Sequence, residues 1–283
     1  MALPSYCSGR ERVAYYGYLG FCTLVFLFLI APILIIIPLS FNATPYFTFT
    51  EGMLSLDPEA YSIRWYVDMF SNQQWINALK NSTLIAICAT IVATALGTLA
   101  AMGLAANNVP FRNTIMAFLI SPMIVPVIIS AAAMYFFYTR LDLSQTFVGI
   151  VLAHAALGTP FVVITVTATL SGFDHSLVRA AYSLGANPIY AFRHVTFPLI
   201  RPGMISGGLF AFGTSFDEVV VALFITGVEQ RTVPRQMWSG IREQISPTIL
   251  AVASLLILMS VLLLVTLEML RRRNARIRGI SES

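Results

Sequence analysis

Long unbroken runs of apolar residues, set apart by shorter polar stretches, dominate the chain. Six runs stand out, at about 15–41, 76–106, 112–138, 146–170, 203–226 and 247–270. Each is long enough to cross a bilayer, which takes about 20 helical residues at 1.5 Å each. Backbone polar groups in hydrocarbon must bond to one another, which leaves helices and closed barrels. A barrel strand alternates polar and apolar positions over roughly 10 residues. These runs do not alternate, so the pattern predicts an all-α polytopic membrane protein with six transmembrane helices. The first run follows Arg10 and Arg12. It is too long for a signal-peptide core and no small-residue cleavage site follows, so it reads as a retained helix. In the second run, Gly97 and Gly103 mark a bend or a close packing site. Pro122 and Pro126 predict a kink in the third.

The resulting plan has a terminal segment over 1–14, a first transmembrane helix over 15–41 and an outer segment over 42–75. A five-helix core follows over 76–270, with an inner loop at 171–202, and a basic tail covers 271–283. Composition agrees with the plan: 57% of the 283 residues are hydrophobic and only 11% charged. The formal net charge of +4 does not mark a nucleic-acid binder, because the basic residues lie at the ends of apolar runs. One cluster, Arg271, Arg272, Arg273, Arg276 and Arg278, follows the last run and reads as a topology signal. With the N-terminus inside, 11 of the 17 Lys and Arg residues fall on the inner side and 6 on the outer. That bias places both termini in the cytoplasm, as six crossings require. Cys7, Cys22 and Cys88 form no metal or redox spacing.

Two connections are long. The outer segment carries Glu51, Asp57, Glu59 and Asp68 against Arg64. It reads either as a solvated loop or as part of a docking surface for an extracellular partner. The inner segment is not loop-like. Leu177, Val178, Ala181 and Leu184 recur at helical spacing. Asp174 or Ser176 suits the N-cap, and Gly185 suits the left-handed residue just past the helix end. Asn187-Pro188 opens a second short helix, with Phe192, Val195 and Phe197 on one side and Pro198 and Pro202 marking its end. A helix–turn–helix platform is therefore expected on the cytoplasmic face.

This segment, Leu177-Val-Arg-Ala-Ala-Tyr-Ser-Leu-Gly-Ala-Asn-Pro-Ile-Tyr-Ala-Phe-Arg-His-Val-Thr-Phe-Pro-Leu-Ile-Arg-Pro202, resembles the EAA loop of binding-protein-dependent ABC importer permeases. Adjacent Ala180 and Ala181, Gly185 four residues later, and the Pro198-x-x-x-Pro202 finish carry the resemblance, between the fourth and fifth of six spans. The resemblance implies a type I importer permease fold and a coupling helix that docks on an ATPase subunit. Leu177, Arg179, Ala180, Ala181, Tyr182, Gly185, Ala186 and Pro198 would make that contact. Arg179 stands where the family has glutamate, a reversal of charge. The likeness covers roughly 70–270. The stretch Ser215-Phe-Asp-Glu-Val-Val-Val-Ala-Leu-Phe-Ile-Thr-Gly227, with Thr232-Val-Pro234, Trp238 and Ile245-Ser-Pro-Thr248, is similar to the second permease subunit of spermidine/putrescine-type importers. Relatives of that group carry polyamines, opines, aminoethylphosphonate and other small solutes. The implied partners are a second, different permease, two ATPase copies that bind the ATP and magnesium, a solute-binding protein and membrane lipid.

Two acids interrupt the fifth apolar run. Asp217 lies 14 residues beyond Gly203, about 21 Å along a helix, past the membrane midplane. Ionisable residues inside a span usually face a cavity or a bundle interior. Asp217, with Glu218, is the candidate for attracting a cationic solute; the alternative is that both are structural, hydrogen-bonded to helix ends or to a partner permease. Adjacent helical positions point about 100° apart, so one of the two should face a neighbouring helix. Phe212 and Phe216 are further path candidates, since an aromatic face can hold an ammonium group. His154, in the fourth run, reads either as a proton-relay element or, with no obvious partner in sequence, as a packing residue. The chain has no Gly-x-x-x-x-Gly-Lys-Ser/Thr loop to hold ATP phosphates and no nucleophile–base pair in sequence, so no enzyme is expected. A self-sufficient secondary transporter is the alternative from another class. An intramembrane hydrolase is a remote one, since Ser215 and Asp217 lack an accompanying histidine.

Overall fold

The apolar runs fold as helices because each satisfies its own backbone along its length. A computed structural model describes residues 9–105, 109–174, 176–243 and 246–277. Cys7, His175, Ile245 and Arg278 lie outside these. Thirteen α-helices are present among the described residues. They are α1 (Gly9–Leu39), α2 (Glu51–Leu54), α3 (Arg64–Ser71), α4 (Gln73–Ala105), α5 (Arg112–Ile124), α6 (Val127–Arg140) and α7 (Phe147–Ser171). After them come α8 (Ser176–Ser183), α9 (Pro188–Ala191), α10 (Phe197–Asp217), α11 (Val220–Ile225), α12 (Val233–Glu243) and α13 (Thr248–Ile277). They belong to two units, one over the first 69 residues with 245–258, the other over 70–244 with the remainder of α13.

In the first unit, α1 exposes apolar side chains along nearly its whole length, as suits a helix in lipid. The segment after it is not a solvated loop. Fully buried Asn42 organises it, its amide donating to the carbonyls of Tyr46 and Thr48 and its Oδ1 accepting from Thr44. The Trp65 indole donates to the Asn42 carbonyl at 2.7 Å, and the Thr248 hydroxyl donates to Asp68 at 2.6 Å. Arg64 lies over the Trp65 ring and donates to the Ala43 carbonyl.

The second unit is a bundle of α4, α7 and α10. Its register fixes the direction of each helix. Gly97 of α4 meets Val162 of α7, and Ala93 lies near Gly158, so α4 and α7 run parallel. Along α10, Gly203 faces Thr169, Gly207 faces Val162, Ala211 faces Gly158 and Ser215 faces His154, so α10 runs antiparallel to α7. Two consecutive parallel helices need a return between them. The α5–α6 pair provides it. Ala131 and Tyr138 of α6 join Ile85, Ile150 and α11 in a core at the end where α4 and α7 begin. A second core, with Ala101, Val166, Leu170 and Ile200, fills the end where they finish.

The expected kink in this return segment is in fact a break. α5 stops at Ile124, Pro126 caps α6, and the two axes differ by 101°. Pro126 lacks the N–H that would continue α5, and it forces Val125 out of the helical region. The fifth crossing also differs from its expected limits of 203–226. It is helical from before Pro198, and it ends at Asp217.

Close approach in the bundle rests on glycines. A Cβ on Gly207 would strike Thr165 Oγ1 and come within 2.7 Å of Val162 Cα, a backbone atom. Gly103, by contrast, faces open space. Gly207→Ala should lower the melting temperature of the purified protein by roughly 5 °C, taking overpacking at about 1–3 kcal/mol. Gly103→Ala should leave it unchanged or raise it slightly.

Candidate functional site

The platform forms much as its residues dictate. The Asp174 side chain, not that of Ser176, starts α8: its oxygens accept from the Ser176 amide at 2.8 Å and hydroxyl at 2.6 Å. The helix closes with Ala186 N–H donating to the Ala181 carbonyl and Gly185 N–H to the Tyr182 carbonyl. This double closure places residue 185 in the left-handed region, and Gly185 has φ +86°. Asn187 then accepts the Tyr190 N–H and caps α9, with Pro188 in its first turn. The second helix does not end at Pro198 and Pro202. A π-turn over Phe192–Thr196, closed by Phe197 N–H on the Phe192 carbonyl, leads straight into α10. In a regular helix the Pro198 ring would strike the carbonyl four residues back, and the wider turn just before it relieves that clash.

The platform sits at the end of the bundle where α7 finishes, and its apolar side chains are uncovered. Leu184 is 88% exposed and Ile189 79%, with Leu177, Tyr182 and Tyr190 near half. Arg179, Ala180 and Gly185 are exposed too, while Ala181 and Ala186 are half-buried. Exposed large apolar groups rimmed by polar ones mark an interaction surface.

At the opposite end α10 breaks. Asp217 is its last residue, and Glu218 is extended, with φ −73° and ψ 122°. In extended backbone successive side chains point to opposite sides, not about 100° apart. Asp217 is accordingly exposed while Glu218 is buried. The Glu218 oxygens accept from Val221 N–H at 2.9 Å and Ala222 N–H at 3.0 Å, the free amides of the first turn of α11. Phe216 turns into the core, and half-buried Phe212 lies beside it, ring centroids 5.7 Å apart.

His154 has partners that no sequence signal reveals, since they lie some sixty residues away. Its Nδ1 is 2.8 Å from Ser215 Oγ, and its Nε2 is 3.7 Å from Glu218 Oε2. Serine, histidine and glutamate in this order resemble a hydrolase triad. All three are buried here, and backbone amides already occupy both carboxylate oxygens, so the group has no access to a substrate. The strap after α11 is clamped from several sides. Arg235 donates to the Thr226 carbonyl and hydroxyl and to the Gly227 carbonyl. Asn81 donates to the carbonyls of Glu229 and Arg231, and Ser82 Oγ accepts the Val233 N–H.

An α-helical bundle with a broken return segment, a second helix break carrying an exposed acid, and an uncovered platform at the far end defines a membrane transport subunit that works with partners. The chain belongs to the family described as "Binding-protein-dependent transport system inner membrane component", whose profile matches residues 93–276. It is 30% identical over 255 residues to the spermidine/putrescine transport system permease protein PotC of Haemophilus influenzae, covering 90% of this chain and 96% of that one. It is 32% identical over 239 residues to the putrescine transport system permease protein PotI of Escherichia coli K12, covering 82% of each. Its fold matches a chain of a bacterial ABC transporter that imports the acidic polysaccharide alginate, with a TM-score of 0.68 at 15% identity, covering 95% of this chain and 99% of that one. The chain is thus a multi-pass inner-membrane permease subunit of an ABC importer. It is non-catalytic, and its family works with a solute-binding protein and an ATPase.

Proposed function

We propose that this chain forms half of the membrane path for a small amine of the polyamine class. A second, different permease completes the path, and two copies of an ATPase dock beneath it. The observation that carries the solute reading is Asp217, a carboxylate left exposed where α10 breaks in an otherwise apolar crossing. The spermidine and putrescine permeases among its relatives support the same class. Glu218, tied to α11, is assigned to the fold of the path, and Phe216 to its packing. Phe212, half-buried, remains a wall candidate. The Lys and Arg bias supports a cytoplasmic location for the platform and both termini. An opine or aminoethylphosphonate would use the same architecture with a different binding protein. Family membership leaves no place for a self-sufficient secondary transporter.

The test is ATP hydrolysis by the reconstituted complex. Binding protein loaded with spermidine or putrescine should stimulate it severalfold over the unloaded protein. Stimulation by an unrelated solute alone would remove the amine reading and keep the permease. The platform reading has its own test in Arg179, which is exposed and basic. If the partner ATPase carries a complementary acid, Arg179→Glu weakens association at low salt, by up to about fivefold for an exposed pair. That loss should shrink as salt rises, because exposed charges are screened beyond about 10 Å at 0.1 M. Equal loss at all salt concentrations would point to shape, not charge.

A further inference from the structure

Buried His154 bridges two elements that meet at the helix break. It sits on α7 and is 1% exposed. On one side it meets Ser215, three residues before the break; on the other it faces Glu218, the residue that makes the break. The serine contact is a specific one. Thr159, Thr165 and Thr169 on α7 each donate to the carbonyl four residues back, the usual arrangement for a hydroxyl in a helix. Ser215 Oγ instead reaches across to the imidazole at 2.8 Å.

The roles of the two ring nitrogens follow from their surroundings. Both oxygens of Glu218 accept backbone N–H groups, so the carboxylate acts as an acceptor toward whatever faces it. A hydrogen on Nε2 satisfies that electrostatic demand, which leaves Nδ1 to accept from the Ser215 hydroxyl. At 3.7 Å the Nε2–Glu218 contact is too long for a hydrogen bond, and Nε2 makes none. The charge of Glu218 and the N–H of His154 therefore hold each other by field and not by a fixed bond. The α11 amides set where Glu218 lies. His154 sets how far it stands from α7.

We propose that His154 is a positioning residue for transport. Anchored by Ser215, it holds Glu218 inward, and the extended turn at Glu218 then aims Asp217 outward into the solute path. The inference rests on the reading of Asp217 given above, and it adds a residue that never meets solute. Removing His154 lets the break relax, so that Asp217 changes its exposure although its own chemistry is intact.

The experiment uses the full complex with Cys7, Cys22 and Cys88 replaced and Asp217→Cys introduced. The rate of modification by the impermeant cationic reagent MTSET, added from the outer side, reads the exposure of position 217. His154→Leu and Ser215→Ala should each slow modification by about tenfold, on the scale of a lost buried hydrogen bond. His154→Gln should recover most of the rate, because its amide can serve both neighbours. Ser215→Ala removes little volume and decides the matter if His154→Leu fails to assemble. Rates within about twofold of the parent in Ser215→Ala and in any assembled His154→Leu complex overturn the proposal. Uptake separates this idea from the solute reading. In the native-cysteine complex, Asp217→Asn combined with His154→Leu should transport no less than Asp217→Asn alone, and a further, multiplicative loss overturns the proposal. If Asp217→Asn by itself leaves uptake unchanged while the labelling rates still fall, the geometry stands and the solute role of Asp217 is lost.

Discussion

A complex carrying Gly185→Val should recruit little ATPase and take up little solute, although the membrane bundle folds. Gly185 has φ +86°, which a β-branched residue adopts only under strain of about 1–3 kcal/mol. The strain is torsional and not a packing clash, because a Cβ at 185 meets nothing within 4 Å. It is relieved by reshaping the turn between α8 and α9. The bonds from Ala186 to Ala181 and from Gly185 to Tyr182 are then lost, and the two short helices no longer present one surface. Co-purification of the ATPase should fall by about tenfold or more, since each 1.4 kcal/mol of misfit at the interface is a factor of ten. The helical content and melting temperature of the isolated subunit should hardly change. Gly185→Asn, which tolerates the left-handed region, should retain most of the association.

Asp217→Asn should lower amine uptake by about tenfold with assembly intact, and Asp217→Lys should lower it further. The substitution to asparagine is nearly isosteric, and position 217 is exposed, so neither folding nor packing is at stake. What changes is the attraction for a cation. A pair of unit charges about 4 Å apart is worth about 4 kcal/mol at the intermediate dielectric of a protein surface, and partial screening by water leaves a fraction of that. Glu218→Gln differs in kind. One carboxylate oxygen becomes an amide N–H pointing at a backbone amide of α11, so the break itself is disturbed. Uptake equal to the parent in Asp217→Asn would remove Asp217 from the path.

The helices of the bundle were legible in the sequence because lipid imposes a long apolar pattern. So was much of the platform. Gly185, Asn187-Pro188 and Asp174 each carry a local backbone instruction that needs no tertiary contact to read. The π-turn at 192–196 was not legible. Pro198 is a stop signal by itself, and only the continuation into α10 shows that the chain passes it. The break at Glu218 was hidden for a similar reason. Val219 to Ile225 is wholly apolar, so the run looks continuous to 226, and the two acids read as residues on a helix. They stand instead at its end, one exposed and one reaching forward to accept the first amides of α11. His154 lay beyond sequence reasoning altogether, since its meaning comes from Ser215 on another helix and from Glu218 in the break that follows it. The 101° break between α5 and α6 was foreshadowed by Pro126, but its size was not.

If an ATPase engages this permease at the exposed platform, the two chains should touch there in the working transporter. The most direct measurement places a photo-reactive amino acid at Leu184, which is 88% exposed at the tip of the platform. The complete transporter is then irradiated in native membranes. A crosslinked product containing the ATPase subunit should form, and it should be lost when Gly185→Val is added. Crosslinks confined to lipid or to this chain, in a transporter that still takes up solute, would contradict that engagement.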